Sequence, residues 1–275
     1  MVAKKTMRRT PRAAADGGAA TNRKHAAEPA KGKPKTGSRA PRLRKRKSVT
    51  ADAAPLGDAA EARPREAAEP AHDCPLCPRL MAFRAANRTA QPDWHNAPVP
   101  AFGPLTARLL IVGLAPGLKG ANRTGRPFTG DFAGKLLYPT LLKFNFASGP
   151  YDERADDGLT MVDARISNAV RCVPPQNKPE IAEIAACNGF LRHELATMPS
   201  LKAILALGSI AHNAVLAALG LKRNAYEFAH GAIHELPSGL VLADSYHCSR
   251  LNTNTGRLTP HMFERVIESL RLGIG

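Results

Sequence analysis

Three short stretches concentrate the residue types that do chemistry. The first, GLAPGLKGANRTGRPFTGD at 113–131, follows an apolar run and is rich in glycine and proline. It resembles a phosphate-cradling loop, but Walker A spacing fails: Gly113, Gly117 and Lys119 fall at the wrong intervals, and Gly120 stands where the hydroxyl belongs. The dinucleotide pattern G-x-G-x-x-G fails as well. What remains is bare backbone followed by Arg123, Arg126, aromatic Phe128 and the carboxylate of Asp131, a set suited to a base and a phosphodiester. The second stretch, SYHCSRLNTNTGR at 245–257, places His247 beside Ser249, Arg250, Leu251, Asn252 and Thr253. The third is CPLC, where a tight turn points the thiols of Cys74 and Cys77 at one metal, and Cys172 and Cys187 offer a second pair. On spacing alone zinc and iron–sulfur both stay open, as does burial of some cysteines as small hydrophobes, Cys187 above all. Five cysteines, an odd number, with no secretory signal disfavour a disulfide framework.

These residues need elements to hold them. Four short apolar runs, at 108–112, 165–170, 202–207 and 240–246, read as strands, and helical spacing marks 131–146, 179–197, 209–219 and 259–272. The alternation predicts βα units around a parallel sheet, an α/β fold. Ligands of such sheets bind beyond the carboxyl ends of the strands. Gly113 to Gly117, Asn168, Gly208 and the loop after His247 all fall there.

The chain is not uniform. Residues 1–70 lack Phe, Tyr and Trp and carry 18 Lys and Arg against 7 Asp and Glu, which is +11 of the formal +16. Such a segment cannot bury enough apolar surface to offset its chain entropy, so a disordered basic tail is expected at 1–70 and a folded unit at 71–275. The tract PRLRKRK at 41–47 suits a polyanion-binding arm that gains by counterion release. No apolar run reaches the length of a membrane span and no signal-peptide core is present, so a soluble intracellular protein is expected.

Taken together, W-x5-P-x-F-G from Trp94 to Gly103, the 113–131 stretch, NAVRCVPPQNKP at 168–179 and SYHCSRLNTNTGRLT resemble the iron–sulfur uracil-DNA glycosylases, specifically their family five branch. The likeness spans nearly all of 72–272 with the motifs in the same order. It implies a three-layer αβα fold with a central four-stranded, mainly parallel sheet. It also implies a 4Fe-4S cluster on Cys74, Cys77, Cys172 and Cys187, leaving Cys248 spare. The expected partner is DNA containing uracil or other deaminated bases such as hypoxanthine, acted on by a monomeric, cytoplasmic, nucleoid-associated repair enzyme. Two departures are visible. Cys248 stands where the family has proline after the motif histidine, and Leu114 and Ala115 stand where many relatives carry an acid or amide.

Cleavage of an N-glycosidic bond develops positive charge on the sugar and negative charge on the departing base. His247 is assigned the leaving-group oxyanion. Asp131 is assigned the sugar cation and the water, with capping of the following helix as its alternative role. Asn168 has the donor and acceptor that the uracil edge requires, and Phe128 a stacking face for a flipped base. Gly113, Ala115, Gly117, Ser249 and Asn252 complete the expected substrate site, and Arg123, Arg126, Arg250 and Leu251 the DNA contacts. Two other classes compete on the residues alone: a non-catalytic nucleic-acid binder, and a phosphoester hydrolase using the first loop.

Overall fold

The computed structural model describes residues 69–275. Its first helix, α1 (Pro78–Ala90), starts on Pro78, whose fixed φ suits a first helical position. Then follow β1 (Leu109–Gly113), the single turn α2 (Ala121–Thr124), α3 (Gly134–Lys143), a small antiparallel pair β2 (Ala147–Ser148) and β3 (Thr160–Met161), and β4 (Ala164–Asn168). The second half holds α4 (Ile181–Thr197), β5 (Ala203–Leu207), α5 (Ser209–Ala218), β6 (Ile233–Glu235), β7 (Val241–Ser245), α6 (Arg250–Asn254) and α7 (Pro260–Ile274).

The main sheet runs β4-β1-β5-β7-β6, with the first four strands parallel and β6 antiparallel at the edge. Alternation along β1 explains the three layers. Leu109 and Ile111 join the core formed with α3 and α7, whereas Leu110 and Val112 face α4 and α5. Every residue of β1, β4 and β5 is buried because helices cover both faces.

The expected four parallel strands are present within one or two residues, and β6 adds a fifth. Its three residues, Ile-His-Glu, are too short and polar to announce a strand. The helix α1 was also not marked by the sequence pattern; its buried residues are Leu80 and an arginine, Arg84, so no apolar stripe appears.

Arg165 on β4 and Arg171 just beyond it are buried charges, unusual even for a strand at the edge of the sheet. Glu194 of α4, fully buried, accepts hydrogen bonds from Arg165 Nε at 2.6 Å, Ser167 Oγ at 2.6 Å and Arg171 Nη2 at 2.8 Å. Glu69 completes the network, accepting from Arg165 and Arg171 and fastening the chain just before the cysteines. Glu69 and Pro70 thus lie among the described residues, whereas the rest of the basic segment, residues 1–68, lies outside them.

Candidate active site

The carboxyl ends of β1, β4 and β7 border a cleft of about 430 Å³ lined by Leu114, Ala115, Gly117, Phe128, Asp131 and Asn168 on one side and His247, Ser249 and Arg250 on the other. Backbone pairing continues past β1 and β4, since Ala169 N–H donates to Gly113 O and Val170 N–H to Leu114 O. That extension fixes the first loop against the strand that carries Asn168.

The glycines of this loop make room for the site's own side chains. A Cβ on Gly113 would overlap Asn168 Oδ1 and the Phe128 ring, so Gly113 underlies the cleft floor. A Cβ on Gly117 or Gly120 would strike the Asp131 carboxylate. The position a phosphate would need is thus held by an anion, which argues against the phosphoester-hydrolase reading.

Asp131 does not cap α3, whose N-cap residue is Ala133. Its carboxylate turns back instead and accepts the Ala121 N–H at 3.1 Å. Burial raises its pKa, opposed by the N–H groups of Ala121 and Gly117 and by the charge of Arg123.

Asn168 is buried, and its Oδ1 lacks a hydrogen-bond partner among the described residues. An unpaired buried amide oxygen is costly unless a ligand satisfies it. Phe128 lies beside it at φ 58, a left-handed conformation that costs a side-chain-bearing residue on the order of 1–3 kcal/mol and persists only where the surroundings enforce it. Those surroundings are visible. Tyr138 OH donates to Pro127 O, and Arg126 Nε donates to Thr129 Oγ1 at 2.6 Å. The Phe128 ring stacks near the His247 ring at a centroid distance of 6.0 Å.

His247 follows β7, and its carbonyl accepts the Asn252 side-chain amide at 2.8 Å. Its ring has no hydrogen-bond partner among the described residues, and burial pushes its pKa down to about 4. The imidazole is therefore neutral at physiological pH and offers an N–H without donating a full proton.

Several assignments change. Arg126 is not a DNA contact: it is 5% exposed, paired through both terminal nitrogens with Asp157 at 2.8 Å, and enclosed by the rings of Phe102, Tyr138 and Tyr151. Asn252 does not line the cleft; it supports His247 from behind. Ser249 lines the cleft and also caps α6, accepting from Asn252 N–H. Arg123 and Arg250 are exposed, Arg250 with its guanidinium 5.0 Å from the Phe132 ring centre, and Leu251 is 73% exposed at the rim. Sequence reasoning missed Phe132, Gly120 and Asn177. The PPQN turn did carry a signal for Asn177, which lines the cleft at φ 57, next to Gln176 at φ 56.

Cys74, Cys77, Cys172 and Cys187 line one small apolar cavity with Leu80, Val170 and Phe190. Arg84 Nη1 lies 3.6 Å from Cys172 Sγ, and the Arg171 N–H donates to Cys187 Sγ at 3.3 Å. Burial raises Cys172 to about 11 and Cys187 to about 12, so these thiols become thiolates only when a cation compensates them. The four cysteines are compatible with a bound cofactor. Cys248, fully buried, belongs to the separate core beneath α3 and α7.

With this geometry in place, the comparisons with known proteins fall into line. The model of the uracil DNA glycosylase superfamily matches residues 100–271, and the chain belongs to that superfamily. Within it the chain is similar to the type-5 uracil-DNA glycosylase of Thermus thermophilus, 47% identical over 206 residues that cover 72% of this chain and 93% of the relative. It is also similar to the type-5 enzymes of Pyrobaculum aerophilum, 39% identical over 71% of this chain and 86% of the relative, and Mycobacterium tuberculosis, 40% over 72% and 77%. Likeness to type-4 enzymes is more limited, 32% over 44% of this chain for that of Pyrobaculum aerophilum. No helix among the described residues is long and apolar enough to cross a membrane.

Proposed function

We propose that this chain is a monofunctional uracil-DNA glycosylase of base excision repair, hydrolysing the N-glycosidic bond of a flipped uracil and leaving an abasic site. The observation that carries this reading is the meeting in one cleft of an unpaired buried amide, an aromatic face, a carboxylate and a neutral imidazole. A base inside a duplex cannot reach these groups, so it enters by flipping. Phe128 stacks on it and Asn168 pairs with its N3–H and O4 edge. As the bond breaks, the His247 N–H stabilises charge developing on the base, and Asp131 supports the sugar cation and orients water. Leu251 enters the gap left in the stack, while Arg123 and Arg250 meet phosphates. The apolar Leu114 and Ala115 wall excludes little, which favours acceptance of other deaminated bases such as hypoxanthine.

The cysteine cavity suits a 4Fe-4S cluster held by Cys74, Cys77, Cys172 and Cys187. A single tetrahedral zinc would draw sulfur ligands to roughly 3.8 Å of one another given Zn–S bonds of about 2.3 Å. The resemblance of the motifs to the iron–sulfur branch of the family favours the larger multi-iron group at these four cysteines. Such a cluster supplies a structural link between the segment before α1 and the sheet, and the N–H···S contacts of Arg84 and Arg171 suit its thiolates.

The decisive assay uses duplexes with single U·G, U·A or hypoxanthine·T pairs, followed by alkaline cleavage of abasic sites. Strand breaks at uracil are expected. Tight binding without breaks would leave the non-catalytic nucleic-acid binder as the function, and breaks at uracil alone would confine the substrate range.

A further inference from the structure

Outside the glycosylase cleft, His212 of α5, His234 of β6 and Asp244 of β7 each offer one ligand atom, all within 4.8 Å of one another. They converge on the α5 face of the sheet. The Asp244 side chain is fully buried, His212 is 1% exposed and His234 is 17% exposed. No lysine or arginine pairs with Asp244 among the described residues.

The hydrogen-bonding groups here balance only with a second proton on His212 or a cation between it and Asp244; burial opposes the proton, while the hydrogen bond and charge of Asp244 leave the His212 pKa raised. His212 Nε2 lies 3.0 Å from the carbonyl oxygen of Tyr226, which can only accept, so Nε2 carries the hydrogen. In the neutral ring Nδ1 then holds a lone pair, and it faces Asp244 Oδ1 at 2.8 Å. Two acceptors at that distance repel unless an electrophile lies between them. The second carboxylate oxygen faces His234 Nε2 at 3.2 Å.

The surroundings are those of a ligating set. A metal-bound imidazole characteristically donates its other N–H to a carbonyl, which fixes tautomer and ring orientation. The Tyr226 carbonyl does this for His212. The rings of Phe228 and Tyr226 stand edge-on to His212 and His234 at 5.7 Å, giving a dry wall, and the exposed edge of His234 leaves a path for entry. Tetrahedral zinc with bonds of about 2.0–2.2 Å needs ligand atoms roughly 3.3 Å apart; His212 Nδ1 stands 2.8 Å from Asp244 Oδ1 and His234 Nε2 3.2 Å from Oδ2, so the Asp244 carboxylate and the His212 ring must move apart to admit the ion. Two imidazoles and a carboxylate select a borderline divalent ion of the zinc type over calcium or magnesium.

We propose that His212, His234 and Asp244 form a metal site for one zinc-type divalent cation, with water in the fourth position, tying α5 to the β6–β7 hairpin three residues before His247. The proposal is independent of the cysteine cavity and of the glycosylase reading.

The test uses the full-length protein as purified, with its iron content recorded. After loading with Zn(II) and desalting, one zinc per chain is expected at unchanged iron, together with a higher melting temperature. His234→Gln, at the exposed edge, should weaken zinc uptake at least about 10-fold and abolish the melting response. Its iron content and uracil release should match wild type. Co(II) decides independently of any variant: ligand-field bands of a tetrahedral nitrogen–oxygen site without sulfur-to-cobalt charge transfer are expected. Absence of uptake by wild type overturns the proposal in favour of a proton shared by His212 and Asp244. Equal uptake by His234→Gln, or sulfur charge transfer with Co(II), also overturns it by moving the ion to another site, the cysteines included.

Discussion

At the scale of single residues, the two polar groups proposed to act at the scissile bond differ in how they respond to protonation. Burial pushes His247 down to about 4, so above pH 5 it stays a neutral donor and contributes no titration of its own. Burial moves Asp131 the other way, upward from 3.8, so its carboxylate form is lost as pH falls through a value above the ordinary one. Loss of the Asp131 carboxylate should therefore contribute an acid limb to single-turnover uracil release. Asp131→Asn should slow release at neutral pH and shift that limb to lower pH, whereas a wild-type rate with an unchanged limb in the variant would remove Asp131 from the chemistry. His247→Ala should slow release by at least about 10² at every pH, as loss of an oxyanion donor does, with little change in lesion binding. His247 stood out in the sequence because it follows a strand directly, whereas Asp131, well beyond the end of β1, stood out only as the carboxylate of the glycine-rich stretch. The alternative role for Asp131 as a cap of α3 was not resolvable there, since only the folded loop turns its carboxylate toward Ala121.

At the scale of elements, the loop carrying Phe128 is held by the charge pair inside it. Arg126 and Asp157 are both buried, and Asp157 also accepts the N–H groups of Asp152 and Leu159, so the pair fastens 126–130 to the segment before β3. The Arg126 guanidinium holds the Asp157 carboxyl far below its usual range. A depressed carboxyl contributes stability that is present above its unfolded pKa near 3.8 and lost as pH drops through and below that value. Asp157→Asn should lower wild-type stability at pH 7 by about 3–5 kcal/mol, the usual consequence of leaving one member of a buried pair alone. Its melting temperature should then fall less steeply below pH 4 than that of wild type, and its uracil release should weaken more at limiting than at saturating enzyme. Equal acid sensitivity of the two proteins would show that the pair contributes nothing. Strands β1 and β5 were readable because helices on both faces demand continuous apolar runs, whereas β4 carries Arg165, Ser167 and Asn168 among its apolar residues. Arg126 was misread for a physical reason: an arginine in a basic, glycine-rich loop looks like a phosphate contact until Asp157, 31 residues later, is folded onto it.

At the scale of the whole molecule, the cysteine cavity and the basic amino-terminal sequence call for separate tests. Cys74 and Cys77 come from the segment before α1, Cys172 and Cys187 from beyond β4 and from α4, so a group bound there would join distant parts of the chain. Cys74→Ser should lose iron and lower the melting temperature, while Cys248→Ser, whose side chain packs beneath α3 and α7, should keep its iron. Zinc without iron in the purified protein would overturn the cluster while leaving the fold intact. The tail calls for a different measurement, because residues 1–68 lie outside the described structure and only their charge argues for them. Residues 1–70 carry +11, and every phosphate they neutralise should steepen the plot of log K against log salt by about 0.9 on duplex DNA. Deleting 1–68 keeps Glu69 and with it the contacts to Arg165 and Arg171, so the catalytic domain stays fastened. The truncated protein should bind DNA more weakly at low salt with a flatter salt slope, yet release uracil at the same single-turnover rate. Its preference for lesion over undamaged duplex should hold, because phosphate charge is blind to the base; a truncation that lost this preference would instead assign the tail a part in reading the lesion.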